Sequence, residues 1–180
     1  MLTIRNSELL RRVVQAELGF CVYVNASCQS TGVKRLFASI SRIGDGLIWY
    51  LLIASLPLVF GSQGLAVSGQ LLITGALSLF AYKSIKYTTG RSRPCNTKSD
   101  ILLGAEPLDQ YSFPSGHTLH ALSFSIVTMY HYPLFGWVLV PIALLIAASR
   151  VILGLHYPTD VIAGALIGTA IASGCLMWLN

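Results

Sequence analysis

The chain has 180 residues, 54% of them hydrophobic and only 11% charged, with a mean hydropathy of +0.66. A soluble domain carries about a quarter charged residues, so the length fits one domain and the composition excludes an ordinary soluble one. The net charge of +5 would suit a nucleic-acid partner, but the basic residues sit in loops beside apolar runs rather than on an aromatic-studded surface, so none is expected.

Residues 1–45 hold six basic residues: Arg5, Arg11, Arg12, Lys34, Arg35 and Arg42. Leu9, Leu10, Val13, Val14, Leu18 and Cys21 recur at helical spacing opposite Arg11, Arg12 and Gln15, which reads as a basic amphipathic helix in the membrane interface. The alternative is a span over Val13–Cys28, which would have to shelter Gln15, Glu17 and Asn25. No cleavable signal peptide is evident, because the first clean apolar run begins near Gly46.

No Asp, Glu, Lys or Arg occurs from Gly46 to Tyr82, from Thr118 to Ser149 or from Val161 to Asn180. Those are membrane lengths, since a spanning helix needs about 20 apolar residues. The first two runs each hold a turn, Gly61-Ser62-Gln63-Gly64 and His131-Tyr132-Pro133, so each predicts a helical hairpin: Gly46–Phe60 with Leu65–Tyr82, and Thr118–Tyr130 with Leu134–Ser149. Val161–Leu179 is the last span. The expectation is an all-α integral membrane bundle of five or six transmembrane helices, forming one domain over residues 1–180 with an N-terminal amphipathic segment (1–45) and a catalytic core (46–180). Cys21, Cys28, Cys95 and Cys175 lack zinc spacing and read as free thiols.

The polar stretch 83–116 is long for a compact domain, and such loops tend to carry function. Tracing the hairpins puts it on one face with the N-terminal segment and the 150–160 connector. Every charged residue falls there, and the positive-inside rule makes that face cytoplasmic.

Three blocks meet on that face. They are Lys86-Tyr87-Thr88-Thr89-Gly90-Arg91-Ser92-Arg93-Pro94, then Pro114-Ser115-Gly116-His117, then Ser149-Arg150 through His156 to Asp160. Cations and helix N-terminal N–H groups suit the charge that spreads over a transferring phosphoryl group. One histidine can attack while another protonates the leaving oxygen. His156 and Asp160, four apart, are spaced for the carboxylate to fix the imidazole tautomer. No carboxylate cluster suits Mg²⁺, so no metal or other cofactor is expected.

These blocks resemble the signature of the type 2 phosphatidic acid phosphatase (PAP2) superfamily, KxxxxxxRP, PSGH and SRxxxxxHxxxD, with every position filled in order across residues 86–160. The resemblance implies that His156 is the nucleophile forming a phosphohistidine, with Asp160 hydrogen-bonded to it and His117 the general acid. It implies that Lys86, Arg93, Arg150, Ser115 and the Gly116 N–H hold the phosphate oxygens, and that no metal is needed. The expected protein is a phosphatase of a bacterial inner membrane acting on a lipid phosphate or diphosphate, such as a polyprenyl diphosphate, phosphatidic acid or phosphatidylglycerophosphate. The rivals are a phosphatase of soluble esters or a vanadate-binding haloperoxidase, and, outside enzymes, a membrane scaffold or transporter subunit.

Blander readings stand beside these. Juxtamembrane cations can be anchors, and Ser115 can serve as an N-cap. His120 reads as a pocket-lining or packing residue. Asp45 reads as a cap on the first span, with a substrate-positioning role open because it faces the catalytic side. Arg91 and Lys98 read as members of a solvated or lipid-contacting loop, with steering of anionic headgroups the alternative. Nothing in the sequence sets the oligomeric state.

Overall fold

The computed structural model describes residues 2–179, and the side chains of residues 1–7, 9, 10, 179 and 180 are outside that description. The side chains of Leu9 and Leu10 in the expected amphipathic stripe, and of the basic Arg5, therefore lie outside the described residues. Helix α1 (Leu2–Asn25) leads through a 3-10 turn into α2 (Thr31–Ile43), followed by α3 (Leu47–Thr89), α4 (Pro94–Thr97), α5 (Gly116–His131), α6 (Gly136–Ile152) and α7 (Pro158–Leu179). No strand occurs among the described residues.

Helix α3 is two arms. Gly61 breaks it at φ +59°, ψ −134°, a backbone conformation open to glycine and strained for other residues. Beyond the break the chain runs back, so that the Ser68 hydroxyl donates to the Ile53 carbonyl at 2.7 Å. This is the first predicted hairpin. The second is α5 with α6, joined through a 3-10 turn at Pro133–Phe135.

Helix α5 is the central element, packed by α7, α3 and α6. Trp49, Leu56 and Leu71 of α3, Phe124 and Val127 of α5, and Leu139 and Ile146 of α6 bury together as the main core. Helix α7 reaches α5 at backbone distance through two glycines one turn apart. A Cβ on Gly164 would stand 2.5 Å from the Ser115 carbonyl oxygen, and one on Gly168 2.4 Å from that of Leu119. Small residues at this spacing are how membrane helices approach closely. Here the approach sets the start of α5 against the start of α7.

Among the described residues, three segments are long and apolar enough to cross a bilayer: 47–97, 133–152 and 158–178. Large apolar side chains on them, among them Leu58, Phe80, Trp137, Leu166 and Trp178, face outward and exposed, as lipid contact requires. The protein is an integral membrane protein. The segment count is lower than five or six because the first segment is doubled at Gly61, and because α5 has only 16 residues. Enclosed by its neighbours, α5 carries buried Ser123, Ser125 and Thr128 in place of a lipid-facing surface.

The N-terminal 45 residues form two helices rather than one amphipathic helix. Two of the residues that made spanning expensive, Glu17 and Asn25, lie against the charged face, while Gln15 is exposed. Asn25 donates to the carbonyls of Leu102 at 3.0 Å and Ile152 at 2.8 Å, and accepts from the Leu102 N–H at 2.7 Å. The four cysteines are free thiols, three of them buried.

Candidate active site

A cavity of about 320 Å³ opens between the first hairpin, α5 and the end of α6. Lys86, Arg93, Gly116, His117, Arg150 and His156 line its polar end, while Trp49, Ile53, Leu71, Leu79 and Phe124 line an apolar arm. Six of the eight predicted site residues thus share one wall. The other two, Ser115 and Asp160, are fully buried behind it.

Each side chain is placed by a helix end. Lys86 sits in the last turn of α3, and Arg93 just before Pro94 opens α4. His117 is the second residue of α5, Arg150 lies near the end of α6, and His156 occupies the connector to α7. The Ser115 N–H donates to the Asp160 carbonyl at 3.0 Å, tying the two motif loops together. Ser115 holds the N-cap position of α5, but its hydroxyl pairs with that of Thr118 at 2.9 Å and caps no backbone N–H.

His156 is 1% exposed. Its Nε2 lies 3.3 Å from Arg93 Nη1. A guanidinium can only donate, so Nε2 is the acceptor and the ring proton sits on Nδ1. Burial, and then the charges of Arg150, Arg93 and Lys86, hold this imidazole well below the usual histidine range. Its neutral form, with Nε2 unprotonated, is the one favoured at neutral pH.

Asp160 does not make the expected hydrogen bond to His156, since Oδ2 lies 3.6 Å from Nδ1, beyond hydrogen-bond range. Other donors hold its carboxylate. The Tyr157 N–H donates to Oδ2 at 2.9 Å, and Arg91 Nη1 donates to Oδ1 at 2.6 Å. Arg91 is therefore no solvated loop residue. It also bonds Glu17 at 2.8 Å and the Thr159 hydroxyl at 2.8 Å, and its guanidinium stacks on the Tyr157 ring with 3.9 Å to the centroid. Glu17 in turn accepts the Thr159 N–H at 2.8 Å. Lys98 does remain at the surface, 3.7 Å from Asp100.

The cations have internal partners as well. Lys86 Nζ donates to both oxygens of Asp109, at 2.6 and 2.8 Å, and Arg93 Nη2 donates to Asp109 Oδ1 at 2.8 Å. Arg150, 2% exposed, bonds the Ser41 hydroxyl. His117 Nε2 bonds Asp45, which corrects the reading of Asp45 as a cap: the residue ahead of α3 is Gly46, and no side chain caps that helix. His120 lines the cavity as expected, with Nδ1 3.0 Å from the Gly116 carbonyl. Asp109 escaped the sequence reading of the site, and Asp45 and Arg91 entered it only as secondary possibilities. Asp45 had one signal, being the sole acidic residue between Glu17 and Asp100.

The comparisons with known proteins agree with the motifs. The chain is 32% identical over 146 residues to an undecaprenyl-diphosphatase of Sulfolobus acidocaldarius, covering 80% of this chain and 69% of that one. It is 26% identical over 179 residues to a lipid A 1-phosphatase of Rhizobium etli, covering 88% and 77%. Among solved structures, LpxE of Aquifex aeolicus superposes with a TM-score of 0.77 at 25% identity, over 89% of this chain and 94% of that one. Residues 67–180, well over half of the chain, match the PAP2 superfamily, and the chain belongs to that family of phosphatases.

Proposed function

We propose that the protein hydrolyses the phosphate end of a membrane lipid through a phosphohistidine, without a metal. The observation that carries the reading is the cavity itself, in which two histidines and three cations from three separate sequence blocks meet beside an apolar arm. An amphiphile with its phosphate at headgroup level fits that shape. The substrate class is a lipid phosphate or diphosphate: a polyprenyl diphosphate, phosphatidic acid or phosphatidylglycerophosphate.

In this reading His156 Nε2 attacks phosphorus, the bond to the leaving oxygen breaks, and His117 gives that oxygen its proton. Water then attacks the phosphohistidine while His117 takes a proton back, freeing His156 and inorganic phosphate. Lys86, Arg93, Arg150 and the Gly116 N–H hold the equatorial oxygens, Ser115 joins them once its hydroxyl turns from Thr118, and Asp160 faces the Nδ1 proton of His156.

The proposed architecture is a single domain over residues 1–180, with the N-terminal segment seated on the catalytic face and the core crossing the membrane as five passes: the two arms of α3, then α5, α6 and α7. The basic residues gathered on the catalytic face support an orientation with that face in the cytoplasm, and a bacterial inner membrane is the proposed location. Cys95, partly exposed in the loop of that face, provides a check. With the other cysteines replaced, a membrane-impermeant maleimide should label it only after cells are opened; labelling in intact cells would reverse the orientation.

The activity test is phosphate release by purified protein in detergent with EDTA, against polyprenyl diphosphate, polyprenyl monophosphate, phosphatidic acid, phosphatidylglycerophosphate and a short-chain soluble ester. EDTA-resistant release from lipids, inhibited by vanadate, is the expected result. Equal kcat/KM on the soluble ester would move the substrate out of the membrane, and loss of release in EDTA would remove the metal-free mechanism.

A further inference from the structure

His117 has a carboxylate partner that no motif supplies. Asp45 stands in the turn between α2 and α3, bonds His117 Nε2 and lines the cavity beside it. Burial itself works against an imidazolium there, and so does the charge of Arg150 in the same cavity, whereas a carboxylate in contact favours one. Asp45 is the one carboxylate in contact with the His117 ring among the described residues.

The value of a protonated His117 depends on the leaving group. An alkoxide expelled from a phosphomonoester is a strong base and departs only as its proton arrives. A lipid phosphate expelled from a diphosphate is a weak base and departs without one, so general-acid assistance matters far less. Charge points the same way. An alcohol can donate a hydrogen bond to Asp45, while a departing lipid phosphate is repelled by it.

We propose that Asp45 is a positioning residue that keeps His117 armed to protonate an alcohol, and that it thereby sets the site for phosphomonoesters over diphosphates. The inference rests on the reading of His117 as the general acid. Through the step the His156–phosphorus bond forms as the phosphorus–oxygen bond breaks, the electron pair stays on the leaving oxygen, and the proton on His117 Nδ1 joins it, Nε2 being held by Asp45. Asp45 remains a carboxylate throughout and makes no covalent bond.

The test compares Asp45→Asn with wild type on phosphatidic acid and on a polyprenyl diphosphate, with His117→Ala in the same assay. Asp45→Asn is expected to lower kcat on phosphatidic acid about 10²-fold at little change in KM, and kcat on the diphosphate by less than about threefold. Asp45→Glu should recover part of the loss. A residue that merely anchors the α2–α3 turn to α5 would reduce both substrates alike, and equal losses, or none, overturn the proposal. His117→Ala losing the monoester while Asp45→Asn keeps it would refute the part given to Asp45 and leave His117 as the acid. His117→Ala retaining the monoester would remove that acid and the proposal with it. The wild type gives a second reading that needs no variant: a kcat/KM on the diphosphate more than about tenfold above that on the monoester, 1.4 kcal/mol in transition-state binding, overturns the selectivity.

Discussion

His156→Ala is expected to release phosphate from no lipid in the panel above background, a loss of about 10⁴–10⁶ in kcat, the range met when a covalent nucleophile is removed. The imidazole is buried, neutral and presents an unprotonated Nε2 to the cavity. That nitrogen lies on the wall that carries Lys86, Arg93 and Arg150. Losing one oxyanion donor such as Lys86 should cost only about 10²–10³, and losing the general acid about 10²–10⁴, so the variants should rank with His156→Ala lowest. The check is phosphate release together with acid-labile phosphate retained on the protein after rapid quench. Wild-type turnover in His156→Ala would sink the mechanism, and a quench signal surviving in it would place the phosphoryl group on another residue.

The second large effect concerns folding more than chemistry. Arg91→Ala removes the shared partner of two carboxylates, Glu17 and Asp160, whose side chains are 9% and 0% exposed. Leaving buried charge unpaired typically destabilises by about 3–5 kcal/mol. For a chain of this size that corresponds to an apparent Tm about 6 °C or more below wild type. Arg91→Lys should not restore the loss, because an ammonium cannot fork between Glu17 and Asp160 while stacking on Tyr157. Adding Glu17→Gln to Arg91→Ala should recover part of it, since one stranded charge is then gone. Melting in detergent, followed by intrinsic fluorescence, reads all four proteins. An Arg91→Ala protein that melts with the wild type would show that the Arg91 pairs contribute nothing to stability.

The sequence disclosed the parts of the site whose logic is local. KxxxxxxRP, PSGH and SRxxxxxHxxxD are short blocks, and six of their eight singled-out residues line one wall because each block closes or opens a helix at the same end of the bundle. The first hairpin was legible for a similar reason, a glycine turn inside an uncharged run. What stayed hidden is long-range pairing. Arg91 meets Asp160 across 69 residues and Glu17 across 74, Asp45 meets His117 across 72, and Lys86 meets Asp109 across 23. No periodicity links such partners, so Arg91 read as one more loop cation and Asp45 as a cap. Glu17 and Asn25 misled in the opposite sense. They looked like the expense of a spanning helix, yet they are the contacts by which α1 grips the loops of the catalytic face.

The Asp109 carboxylate between Lys86 and Arg93 bears on how such an enzyme works in its surroundings. A bilayer presents a crowd of phosphodiester lipids, each with one negative charge at the depth of this cavity. Any of them reaching for the two cations must dislodge a carboxylate of equal charge held at 2.6–2.8 Å, an even exchange with no electrostatic gain. A terminal phosphate near neutral pH brings close to two charges and can win that exchange. On the proposed function, Asp109 would act as a toll on singly charged headgroups, letting a scarce lipid be picked from an abundant background without any recognition of its chain.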